Sequence, residues 1–285
     1  MGTLFMEGFY VESHGIIYSV KGVCDYDPRF LPVVPKYAKT GCVKVNVNCN
    51  SSYIETIGVS SCIVEKDDVS MVYNPFEYSK ERLPVRVKEF IEYIEQNISN
   101  GEVGLTGSYL LGCPSPDSDV DLIIKGYLLE HDYNRLSSIL KYRNECSDEL
   151  VIRNYKEKIR RDKSMSLRDY LRIFKTKVLE GCFKGVFYSI RFIEDKLSQE
   201  ICNLNFLPAG EKIVLGPLKQ VKPYTTPSLY QLTDKYTGRL YNLMSWRIRY
   251  SELPEGYYTV KGDLFIDSKG RLWITPDHTG WIRLL

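Results

Sequence analysis

The apolar positions of this chain change period along its length. From residue 1 to about 80 they alternate or fall in short runs, which predicts strands. Residues 9–12 and 16–20 are β-rich runs around Ser13-His14-Gly15, a hairpin turn. Between Cys42 and Asn48, Val43, Val45 and Val47 alternate with polar residues, the pattern of a half-buried strand. Residues 57–64 and 69–73 continue it, and the segment holding Pro28, Pro32 and Pro35 reads as an irregular connection.

The period then lengthens. Val87, Phe90, Ile91, Ile94 and Ile98 share one face of a helix expected over 82–98, with Pro84 in its first turn. Further helices are expected over 132–142, 147–161 and 166–180, the last with Gly181 as its C-cap. A long strand is expected over 184–194. Beyond residue 200 short strands return at 213–215, 218–221, 239–243, 246–250, 264–266 and 272–274. The last two flank Asp267-Ser268-Lys269-Gly270, a hairpin turn. Strands of this length with turn signals between them suggest a small barrel or sandwich.

Between the first two helices lies V-G-L-T-G-S-Y-L-L-G-C-P-S-P-D-S-D-V-D-L-I-I-K, residues 103–125. A short strand runs to Thr106, Gly107-Ser108 turns, and a second strand carries D-V-D-L-I-I-K. Side chains alternate faces in a strand, so Asp119 and Asp121 point the same way while Val120 and Leu122 point into the core. Two adjacent carboxylates repel unless a cation lies between them. Oxygen ligands on one rigid edge suit Mg²⁺, which takes one or two carboxylates plus substrate phosphates. Gly107 allows close backbone approach, and free N–H groups after it attract phosphate. This is equipment for a nucleoside triphosphate with Mg²⁺.

G-S, ten residues, then D-x-D on a strand resembles the signature of the nucleotidyltransferase superfamily typified by DNA polymerase β, and its compact form resembles archaeal members. The likeness is close over 103–125 and holds in outline for the central part. It implies a small mixed sheet with helices on one side. It also implies metal ions on Asp119 and Asp121, the triphosphate on Gly107 and Ser108, and transfer of a nucleoside monophosphate to an acceptor. A third metal carboxylate is implied on the strand over 184–194. That strand offers Ser189 and Arg191 in its interior, and acids only at its end, Glu194 and Asp195. Glu194 is therefore the candidate third ligand, and Arg191 a candidate phosphate contact.

The chain is accordingly expected to be an α+β protein. A nucleotidyltransferase-like core over 81–200 lies between an N-terminal β-rich domain, 1–80, and a C-terminal small β barrel or sandwich, 201–285. Two rivals to an enzyme stand beside this: a nucleotide- or nucleic-acid-binding module that lacks turnover for want of a third acid, and a scaffold with a vestigial site.

Composition changes the picture in three places. Between Val151 and Lys184, eleven Lys and Arg face four acids, although the whole chain carries a net charge of only +2. These basic helices could contact a triphosphate or a nucleic-acid backbone. Arginines interleaved with aromatics in W-R-I-R-Y, together with Trp273 and Trp281, offer either a nucleic-acid platform or core packing. The eight cysteines form no C-x-x-C pattern and have only three His beside them, so zinc is not expected and buried free thiols are, with a disulfide among Cys42, Cys49 and Cys62 open. No run is long enough to span a membrane and no leader pattern starts the chain, so a cytoplasmic location is expected.

Overall fold

A computed structural model describes residues 5–45, 49, 51–54, 59–140, 146–159, 165–277 and 280–285. Among these residues the strands form three sheets that follow one another along the chain. The first contains β1 (Tyr10–Ser13), β2 (Ile16–Val20), β3 (Phe30–Ala38), β4 (Ser51–Ile54), β5 (Val59–Glu65) and β6 (Met71–Tyr73), in the order β4-β5-β3-β2-β1-β6. Every pairing in it is antiparallel. Of the segment expected to be an irregular connection, Pro32 and Pro35 lie in strand β3, inside the sheet, and Pro28 precedes it outside any strand. The register with β2 shifts between Ile17 and Tyr18, opposite Pro35 to Tyr37. A bulge there accommodates a residue that cannot donate to the ladder. The strand expected over 42–48 reduces to a bridge between Tyr37 and Lys44, and residues 46–48 lie outside the described residues.

The central part contains α1 (Val85–Glu95), β7 (Gly101–Thr106), α2 (Gly107–Leu110), β8 (Val120–Gly126), α3 (Glu130–Leu140), α4 (Asp148–Ile159), α5 (Leu167–Phe174), β9 (Glu180–Phe183), β10 (Val186–Glu194) and α6 (Asp195–Cys202). Its sheet has the order β7-β8-β10-β9, with β8 and β10 parallel and the other pairs antiparallel. The apolar stripes of α1 and α3 cover one face, where Phe90, Ile91, Ile94 and Leu136 bury Leu105, Leu122, Ile124 and Ile190. The other face is shared. Ile123 and Ile193 pack into the core of the first sheet, and Cys182 and Phe187 pack toward the C-terminal part.

Helix α5 ends six residues earlier than expected, and Gly181 lies inside β9 rather than capping a helix. The cause is Lys177. Its ammonium is buried, bonded to Glu180 Oε2 at 2.5 Å and to the Ile248 carbonyl at 2.6 Å. The chain turns inward there instead of continuing along the surface, so Lys177 leaves the basic face to which its charge seemed to assign it.

The third sheet contains β11 (Phe206–Lys222), β12 (Ser228–Thr233), β13 (Leu240–Ser245), β14 (Gly256–Asp267), β15 (Leu272–Thr275) and β16 (Trp281–Leu284). Its order is β11-β12-β13-β15-β14, and β14 also pairs with β11, which closes a five-stranded barrel with β16 added beside β14. Tyr230, Leu232, Tyr241, Leu243, Tyr258 and Val260 fill the interior. Leu229, Met244, Phe265 and Trp273 face outward onto Leu197 and Ile201 of α6. W-R-I-R-Y is not a strand: a 3-10 turn spans Ile248–Tyr250, and Trp246 packs against the core of the first sheet. Glu252 fastens barrel to core, accepting from Tyr133 Oη and Leu179 N at 2.9 Å and from Val178 N at 3.1 Å.

All eight cysteines are in disulfides: Cys24–Cys202, Cys42–Cys113, Cys49–Cys62 and Cys146–Cys182. The expectation of free thiols is overturned. Two of these bonds tie the first sheet to the central part, across 178 and 71 residues of chain. Such partners are brought together by the fold, and spacing along the sequence carries no sign of them.

Candidate active site

The antiparallel pairing of β7 with β8 sets Thr106 opposite Asp121, and the parallel pairing of β8 with β10 sets Ser189 on its other side. Residues directly opposite share a face. Thr106, Asp121 and Ser189 thus form one row across the sheet, and Glu180 of β9, opposite Ser189, extends it. Asp119 lies just before β8. Burial, then the charges of Asp121 and Asp119, push the Tyr37 hydroxyl up.

Gly107 follows Thr106 with φ +70°, a conformation that disfavours any side chain. A Cβ at this position would collide with the Asp121 carboxylate. The backbone at the start of α2 therefore lies directly against Asp121, with half-buried Ser108 next. Glycine is required twice over here, by conformation and by space. G-S and D-x-D, ten residues apart in sequence, form one site.

The remaining sequence candidates are placed differently. Arg191 lies on the same face as the Asp121 row, two residues further along β10, but is engaged elsewhere. Its Nη1 lies 3.5 Å from Glu7 Oε1 and donates to the Trp246 carbonyl at 3.3 Å, so it joins the first sheet, the central sheet and the segment after β13. Glu7 is 4 % exposed and also accepts from Lys21 Nζ at 2.8 Å. Burial pushes its carboxyl up, but Lys21, Arg191 and its hydrogen bonds outweigh that and hold it below the ordinary value. Glu194 is buried at the far end of β10. It accepts from Leu129 N at 3.3 Å and lies 3.4 Å from Lys222 Nζ. Five residues of strand separate it from Ser189, roughly 16 Å, so it does not join the Asp121 edge. Glu180 stands two strands from Asp121, roughly 10 Å, and is paired with Lys177.

Ser189 occupies the position nearest Asp121, and its hydroxyl donates to Asp121 Oδ1. Among the described residues no three His, Cys, Asp or Glu converge as a metal-binding group. The donor set at this edge is two carboxylates and a hydroxyl. That fits a Mg²⁺ ion that brings phosphate oxygens as its other ligands.

Of the basic helices, Arg153 of α4 reaches Asp117 Oδ1 at 2.6 Å, in the loop between α2 and β8. Arg168, Arg172 and Lys175 are exposed, whereas 160–164 lie outside the described residues.

Sequence reasoning missed what the first sheet contributes. Thr106 Oγ1 donates to the Gly8 carbonyl at 2.7 Å, and Gly8 packs on Ile123 where no side chain would fit. Tyr10 is buried beside Asp121: burial, then the Asp121 charge, push its hydroxyl up. The Cys42–Cys113 disulfide ties this sheet to the loop that follows α2. The only local signal was the glycine at position 8.

Residues 87–174, from α1 through α5, match the family model of the nucleotidyltransferase domain. No curated protein and no solved structure matches the chain. The matched segment contains the Gly107-Ser108 turn and the Asp121 edge. The chain carries a nucleotidyltransferase domain, and that domain belongs to the nucleotidyltransferase superfamily. Among the described residues no helix is long and apolar enough to cross a membrane.

Proposed function

We propose that the protein transfers a nucleoside monophosphate from a nucleoside triphosphate to an acceptor hydroxyl, with Mg²⁺ bound by Asp119 and Asp121. The observation that carries this reading is the fit of the Gly107 backbone against the Asp121 carboxylate. Bound there, Mg²⁺ would neutralise phosphate charge and polarise the phosphoryl group under attack. Asp119 and Asp121 would hold the ion. Gly107 and Ser108 would let the triphosphate approach the strand end, and Arg153 stands beside the same loop to balance charge on the departing pyrophosphate.

A second reading is favoured by Ser189. A hydroxyl bonded to Asp121, where a third carboxylate is expected, would leave the metal weakly held on the side that activates the acceptor. The protein would then bind a nucleotide with slow turnover or none. A cytoplasmic site of action would require a cytosol that keeps four disulfides oxidised, as in hyperthermophiles.

Calorimetric titration of each nucleoside triphosphate, with and without Mg²⁺, tests the site. Binding should need Mg²⁺ and vanish in the Asp119→Ala, Asp121→Ala double variant. Pyrophosphate release on adding an acceptor separates the enzyme from the binding module. Metal-independent binding, or binding that survives the double variant, would refute both.

A further inference from the structure

We propose that the cleft between α6 and the C-terminal barrel binds single-stranded nucleic acid, at a site separate from the Asp119 and Asp121 edge. The topology is the first observation. Along the barrel the first strand, β11, pairs with the second and the fourth, and the third, β13, runs parallel to the fifth, β15. That is the ring of the oligonucleotide/oligosaccharide-binding barrel, whose ligands lie on the second and third strands and against the loop between the fourth and fifth. In this chain that location holds a cleft of about 570 Å³, lined by β12, β13, the turn after β14, and α6. The volume suits one or two nucleotides of a strand.

The lining has the right chemistry in the right order. Gln231 of β12 stands opposite Asn242 of β13, and Asn242 opposite Trp273 of β15. Asn242 gives its Nδ2 to the Leu272 carbonyl at 3.2 Å, which leaves its amide oxygen, and Gln231 stands half-buried beside it. Side-chain amides offer a donor and an acceptor together, the pair that reads base edges. Trp273 and Leu229, largely buried against α6, form the apolar floor of the cleft.

Lys269 and Arg271 stand exposed on the turn between β14 and β15. The turn is fixed by buried Asp267, which accepts from Lys269 N and Arg271 N at 2.9 Å, from Arg271 Nε at 2.6 Å and from Trp273 Nε1 at 2.9 Å. Arg271 is thus held through Nε, with its guanidinium over the Trp273 ring, 5.5 Å from the centroid. Two exposed cations on one fixed turn, Arg271 held through its side chain and Lys269 through its backbone, stand beside paired amides and match a phosphodiester backbone with exposed bases. A neutral sugar chain would leave both cations unused. Glu200 on the α6 rim is the one acid in the described lining. Helix α6 leaves from the Glu194 end of β10, so the cleft lies away from the Asp121 end and anchors a strand rather than reacting with it. Its occupancy does not depend on whether transfer occurs.

The test is fluorescence anisotropy of the full oxidised chain with a fluorescein-labelled single-stranded oligonucleotide of about ten nucleotides, as DNA and as RNA. Gln231→Ala should weaken binding roughly 5- to 10-fold. Lys269→Ala should weaken it a few-fold and reduce the salt-dependence slope by about one. Both variants should unfold at the wild-type temperature, since neither residue is in a core. Three results would overturn the proposal: no binding by wild type at about 0.1 M salt, cleft variants that bind like wild type while Arg168→Ala, Arg172→Ala abolishes binding, or a neutral oligosaccharide that binds and is not displaced by the oligonucleotide.

Discussion

Replacing Ser189 by Asp puts a carboxylate where the Ser189 hydroxyl now meets Asp121, and the cost follows from the register of β8 and β10. At about 4 Å and an effective dielectric near 20, two unit charges repel by about 4 kcal/mol. The lost hydrogen bond to a charged acceptor adds about 1.5–3 kcal/mol. Asp121 is half-buried, so solvent screens part of the repulsion. The pair can also share a proton, but holding one carboxyl protonated at neutral pH costs about 4 kcal/mol. Escape by that route saves little. The net expectation for Ser189→Asp is a loss of about 3–5 kcal/mol with a chelator present. Mg²⁺ should reverse the sign of the effect, because a divalent cation turns the repelling pair into a ligand set. Ser189→Asn, with no added charge, should lose only about 1–3 kcal/mol and respond to Mg²⁺ no more than wild type does. Scanning calorimetry of the two variants and wild type, each in chelator and in excess Mg²⁺, reads all of this. A Ser189→Asp protein as stable as wild type in chelator, or one indifferent to Mg²⁺, would show that Ser189 does not face Asp121.

Gly107→Ala should abolish Mg²⁺-dependent nucleotide binding and lose at least about 1–2 kcal/mol from the left-handed backbone alone, read by calorimetric titration and thermal unfolding. Glu7→Gln should cost about 2–4 kcal/mol, since it leaves Lys21 and Arg191 without their buried counter-charge, while nucleotide binding persists. In wild type the Glu7 contribution is complete above its ordinary value of 4.5 and is lost as pH falls through its lower folded value. The gap between wild type and Glu7→Gln in denaturant unfolding should therefore close on acidification below that pH. Cys42→Ser, Cys113→Ser should lose up to about 4 kcal/mol by loop entropy across 71 residues of chain, and proteolysis between Gly112 and Asp119 should speed up.

Much of the fold could be read from local pattern. The hairpin at His14-Gly15 has the expected positive φ at both residues, the stripe of Val87, Phe90, Ile91 and Ile94 is buried, and Ser147 Oγ accepts from Leu150 N at 3.3 Å as an N-cap. These are short-range effects, set by residues within a turn or two of each other. Errors arose where a distant partner overrode the local preference. Pro32 and Pro35 argued against a strand, but β3 bulges at Pro35 and pairs regularly at Pro32, and Lys177 looked like a surface cation until Glu180 and the Ile248 carbonyl drew it in.

The candidate site divides along the same line. Gly107, Ser108, Asp119 and Asp121 lie within fifteen positions, and the antiparallel pairing of β7 with β8 brings the Gly107 backbone against Asp121. Arg191 and Glu194 were judged by type on the strand that had to carry a third acid, but type says nothing about what covers that strand. The first sheet covers the Arg191 face, with Glu7 as its counter-ion, and Lys222 takes Glu194. Both charges neutralise partners from parts of the chain that local pattern had treated as separate. Where a strand face is shared between two sheets, a charged residue on it is first a joint between them. At the other end of the strand the Asp121 carboxylate meets the Ser189 hydroxyl and lies beside Tyr10 and Tyr37 of the first sheet, and among the described residues no counter-ion from another sheet is paired with it.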